Sequence, residues 1–232
     1  MKLKLLTLIA TTILATQAAA QSVFEGFYTQ VGVGYESSDL TASNSAALNA
    51  NGSLAHSISY DKNPSPDGVL LVLAGGYNYE LFSRFLLGIG GDWSAFNNTR
   101  SEAISISGLG HSQSKIQFSD RFSIFITPAY ELDNDKLVYF KAGYTGQAVK
   151  GINDNATSAS YGSLTGQADL QGYVLGVGYK QVITGGLFGF VEGNWYDYSS
   201  SRSLVHQADG SLGTANISAF TYTLTAGVGY KF

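Results

Sequence analysis

The groups in this chain able to do chemistry are three histidines and a set of isolated charges. His56 is followed by Ser57 and Ser59, and His111 by Ser112 and Ser114; His206 stands apart. A serine nucleophile needs a base within hydrogen-bond reach and a third group to orient that base. All three histidines fall in serine-rich stretches, so a neighbouring hydroxyl follows from composition and singles out no triad. With no cysteine and histidines far apart, no metal or other cofactor is expected. The second set is Asp92, Arg121, Lys141 and Glu192, single charges set among small and glycine-rich positions. A charge taken out of water has to be paired or solvated, so these four are expected to form an ion-pair network. The alternative is the gate of a narrow pore, opened by an exchange of partners.

The elements that must position these groups are strands. Alternating runs lie at 26–36, 68–80, 84–95, 116–132, 137–148, 170–181, 187–198 and 217–232. Long polar connections at 37–67, 96–115, 149–169 and 199–216 alternate with tight ones at 81–83, 133–136 and 182–186. Extended loops at one rim and short turns at the other describe an up-and-down barrel of eight antiparallel strands. In the last run Phe220, Tyr222, Leu224, Ala226, Val228, Tyr230 and Phe232 share one face, against Ala219, Thr221, Thr223, Thr225, Gly227, Gly229 and Lys231. Periodicity alone does not say which face points inward. A water-facing exterior would be covered in Lys and Glu. The second face is instead small, with one charge at a time, and suits the narrow interior of an eight-stranded barrel. The greasy face is therefore expected to meet lipid. Lys141 and Glu192 then stand at one height above their turns, with Asp92 and Arg121 higher. Trp93 and Trp195 fall about nine residues above a turn, and Tyr179 and Tyr230 lie close to the turns, as two membrane girdles require.

The chain's ends and charge bound its location. Lys2 and Lys4, an apolar run over 5–14 and Ala18-Ala19-Ala20 read as a cleaved signal peptide, 1–20, leaving a barrel domain over 21–232. No run approaches the 18 or so apolar residues a spanning helix needs, so any crossing is by strands. Loss of Lys2 and Lys4 leaves eleven basic against seventeen acidic side chains, net −6, and no nucleic acid partner is expected.

With these features the chain resembles the eight-stranded outer-membrane β-barrel family of Gram-negative bacteria, the surface proteins related to opacity proteins and to the OmpA-type barrel. The most specific motif is C-terminal: Thr225, Gly227, Tyr230 and Phe232, a polar residue followed by glycine and two aromatics. The resemblance implies that these four are read by the barrel-assembly machinery after periplasmic chaperones have carried the chain. It implies a monomer in the cell outer membrane, in contact with lipid and lipopolysaccharide, offering four loops to a host or surface ligand. The role implied is structural or adhesin-like, without catalysis. A small ion or solute channel is the first rival; a lipid A-modifying enzyme is the second. Fold does not fix function in so diverse a family.

Overall fold

The computed structural model describes residues 22–42, 45–48, 54–60, 67–95, 98–106, 110–153, 164–206 and 212–232, and side chains within 22–39, 67–95, 120–148, 169–199 and 218–232. The expected signal peptide, 1–20, lies outside the described residues.

Eight long strands make the barrel: β1 (Gly26–Ala42), β4 (Asp67–Phe82), β5 (Phe85–Ala95), β7 (Gly110–Asp133), β8 (Lys136–Asn153), β9 (Leu164–Thr184), β10 (Leu187–His206) and β11 (Leu212–Lys231). Each pairs antiparallel with the next, and β1 pairs with β11 from Tyr28↔Lys231 to Ala42↔Ile217, closing the wall. Closure is what lets such a wall stand in lipid, because it leaves no open edge of backbone groups.

The register fixes the geometry. Stepping from partner to partner, Tyr28 leads to Gly76, Gly90, Phe125, Gly143, Val174, Tyr196, Thr221 and back to β1 at Ser38. One circuit thus climbs ten residues along β1, a shear of ten for eight strands. At about 3.3 Å per residue and about 4.8 Å between strands, this tilts the strands by roughly 40° and puts the backbone about 8 Å from the axis. Side chains fill such a space.

The two faces sort as composition requires. Val33, Ile124, Val177 and Leu224 point outward, each more than 60% exposed, while Glu36, Asp92, Arg121, Lys141 and Glu192 point inward and are buried. Converting the register into height places the outward aromatics in two rings. Phe27, Tyr79, Phe85, Tyr130, Tyr179, Tyr230 and Phe232 ring the turn end. Tyr35, Trp93, Phe122, Tyr144, Tyr173, Trp195 and Tyr222 ring the wall roughly 20 Å higher, with aliphatic side chains between. Rings touch within each band: Phe85 and Tyr130 at 4.7 Å, Trp93 and Phe122 at 6.4 Å.

The tight turns lie close to where composition places them, at Ser83–Arg84, Asn134–Asp135 and Gly185–Gly186. Gly185 takes φ +54°, and Arg84 takes φ 70° despite its side chain. In the second turn the Asn134 amide donates to Asp133 (2.9 Å) and Lys136 approaches within 3.5 Å. That amide, and then Lys136, hold the Asp133 carboxyl below its ordinary range.

The long connections differ from the expectation of polar loops. β7 to β11 run beyond the upper aromatic ring, and three further strands occupy the first two connections: β2 (Ser45–Leu48), β3 (Leu54–Tyr60) and β6 (Asn98–Ile106). They pair in the order β7–β6–β3–β2–β11. The wall therefore continues upward as a collar in which β6, β3 and β2 take over from β5, β4 and β1. Between β9 and β10 the pairing stops at Gly172↔Tyr198 and resumes only at Thr165↔His206. The physical reason for the difference is that these stretches carry no apolar alternation. The backbone pairing that extends the strands leaves no mark in hydropathy.

Candidate functional site in the barrel interior

Polar groups stack inside the barrel in tiers. At mid-height the Lys141 ammonium lies 2.6 Å from Asp92 Oδ2 and 2.9 Å from Glu192 Oε1, and 4.3 Å above the Phe125 ring. Glu192 also accepts from the Tyr139 hydroxyl (2.6 Å) and from Asn194 Nδ2 (2.9 Å), which in turn reaches Thr223 Oγ1. One ammonium between two carboxylates leaves a net negative tier, and neutral donors to Glu192 offset it.

Higher up, Arg121 is 1% exposed and donates to Glu36 Oε2 at 2.7 Å and Ser94 Oγ at 3.3 Å. Its guanidinium lies 4.0 Å over the Tyr196 ring, stacked in turn with Tyr198. Lower down, Lys180 is caged by rings: Tyr28 at 3.9 Å, Phe188 at 4.9 Å and Tyr139 at 5.2 Å. No carboxylate within 4.0 Å balances it among the described residues. Gly178 makes the cage possible, because a Cβ there would run into the Tyr139 ring.

Apolar clusters close both ends. Leu170, Val174, Tyr196, Tyr198 and Ala219 cover the upper tier. Phe24, Leu86, Ala129, Leu137 and Tyr139 fill the turn-side mouth.

The four charges singled out by sequence are all interior, but their grouping differs from their order along the chain. Asp92 joins Lys141 and Glu192, whereas Arg121 pairs with Glu36 of β1. Glu36 and Arg121 stand on strands that are not neighbours. Only the stagger of ten residues per circuit brings them level, and that number is not legible before the register is known. Lys180 and its aromatic cage were missed for the same reason.

Of the C-terminal motif, Thr225 and Gly227 face inward and Tyr230 and Phe232 outward; Phe232 is 71% exposed, and its amide donates to Phe27 O at 2.9 Å. Trp93 and Trp195 sit in the upper ring, Tyr179 and Tyr230 in the lower. The three histidines lie on strands, not in irregular loops: His56 opposite Ala47, His111 opposite Ser105 and His206 opposite Leu212. Their side chains lie outside the described residues.

No sequence-family model matches the chain, and no curated protein matches it in sequence. Solved structures do match in shape. The outer membrane protease OmpT from Escherichia coli is 12% identical, with 94% of this chain and 100% of that chain covered at a TM-score of 0.55. The outer membrane protein OprG from Pseudomonas aeruginosa is 13% identical, with 90% and 96% covered at a TM-score of 0.53. At such identities the likeness speaks of architecture alone. The closed wall, apolar exterior and tiered polar interior give this chain the fold of the eight-stranded outer-membrane β-barrels.

Proposed function

We propose that the chain is an integral outer-membrane protein with a structural or surface-interaction role, exercised through the collar above the upper aromatic ring and not by catalysis or transport. The observation that carries this reading is the filled interior: paired charges between two apolar caps leave the collar as the part free to meet a partner. The two outward aromatic rings, set a membrane's apolar depth apart, support lipid on the outside. Phe232 at the end of the closing strand suits the role of assembly signal. A monomer fits a wall that closes on itself.

One observation favours a small channel. Gln30 Oε1, Asp92 Oδ1, Asn194 Oδ1, Arg121 Nε and Tyr198 Oη are buried polar atoms without a partner, spread along the height of the interior. Such atoms call for internal water.

The surface reading is tested with an epitope inserted at 157 in the β8–β9 connection and, separately, in the Asn134–Asp135 turn. Antibody on intact Gram-negative cells is expected to reach the first, and to reach the second only after the outer membrane is permeabilised. The reverse pattern would put the collar in the periplasm and end the proposal.

A further inference from the structure

The four residues ahead of β1 do not hang below the barrel; they turn into it. Gly26, at φ +123°, makes the reversal. A Cβ there would meet Lys231 Cε at 3.1 Å and Phe232 O at 3.3 Å, so both the angle and the space call for glycine. Phe24 is 3% exposed, within the cluster of Leu86, Ala129, Leu137 and Tyr139. Its carbonyl accepts from Asn78 Nδ2 at 3.0 Å. Two wall carboxylates hold the tip: the Ser22 amide donates to Glu80 Oε2 at 3.1 Å, and the Ser22 hydroxyl donates to Glu131 Oε1. The segment is knotted on itself by Phe24 N to Ser22 Oγ and Glu25 N to Ser22 O, both at 3.1 Å.

Every other group in the two caps belongs to a strand of the closed wall. Phe24 alone rides on a segment outside the ladder, held by side-chain contacts and a few hydrogen bonds. Such a segment opens at far lower cost than the barrel unfolds. It shares Tyr139 with the tier behind it, since the Lys180 ammonium lies over that ring.

We infer that Ser22–Glu25 is a withdrawable stopper, which seals the turn-side mouth and keeps water-borne solutes from the caged Lys180. The inference does not depend on what the collar binds.

The test acetylates the refolded chain 21–232 in detergent micelles with a water-soluble sulfonated succinimidyl acetate. Modification of Lys180 is followed against Lys136, half-exposed beside the Asn134–Asp135 turn, by peptide mass spectrometry. Heat-modifiable mobility on gels confirms that each variant is folded. Lys180 is expected to react at least about tenfold more slowly than Lys136 in the parent chain. Phe24→Ala, and Glu80→Gln with Glu131→Gln, are expected to raise the Lys180 rate about tenfold and leave Lys136 unchanged. Leu170→Ala, at the opposite cap, is expected to change neither. If Phe24→Ala does not fold, the carboxamide pair gives the same reading with the apolar cluster intact. Lys180 reacting as fast as Lys136 in the parent would show that no seal exists. Lys180 still protected in the folded stopper variants would show that the wall makes the seal.

Discussion

Lys141 is the side chain on which the interior depends most. Its ammonium answers two buried carboxylates at once, so removing it leaves both without a cation. Breaking a buried pair from one side costs far more than replacing the whole set by neutral groups. Lys141→Met is therefore expected to lower the barrel's stability by about 3–5 kcal/mol in reversible urea unfolding with phospholipid vesicles. Adding Asp92→Asn and Glu192→Gln is expected to restore most of it. A neutral single variant would mean that water, not Lys141, holds the carboxylates. That these side chains point inward was legible in the sequence, because each sits at an odd step from its strand's outward aromatics. Who pairs with whom was not. Arg121 and Glu36 lie 85 positions apart, and nothing local relates them.

At the scale of the element, the eight strands follow from alternation, and the turns at Asn134–Asp135 and Gly185–Gly186 from the placing of Asn, Asp and Gly; the turn at Ser83–Arg84 follows from the short gap between two alternating runs. β7 tolerates Pro128 because the residue costs one donor only: the β7–β8 ladder passes from Ile126↔Ala142 to Ala129↔Tyr139 across it. The outward face of β9 makes the sharpest prediction. Val177 is 63% exposed, and its register height falls midway between the aromatic rings. Val177→Arg is expected to destabilise the barrel by about 2–4 kcal/mol in the same unfolding measurement, and far less in a detergent that lets the side chain reach water. An equal, small effect in both would mean that this face does not meet hydrocarbon. The strands' upper ends were not legible. The stretches 37–42 and 201–206 carry no apolar period, yet their backbones pair within the collar.

The molecule as a whole joins two regimes in one wall. Between the aromatic rings it is apolar outside and polar within, where Lys141 and Arg121 meet carboxylates and Lys180 meets aromatic rings. Above the upper ring the same wall continues into water, rebuilt from β2, β3 and β6. A shear of ten ties the two together. It tilts the strands, sets the backbone about 8 Å from the axis, and decides which charges stand level. Over that bore, tiers of Lys180, Lys141 and Arg121 with their partners alternate with rings of aromatic side chains, and an apolar cluster shuts each end. On the proposed reading the interior is closed and the protein works from its surface. Single-channel recording of the refolded chain 21–232 in a planar bilayer tests it most directly. A folded, heat-modifiable barrel is expected to pass no discrete current. Ion-selective steps that change size when Lys141 or Glu192 is neutralised would contradict it and make the protein a small pore.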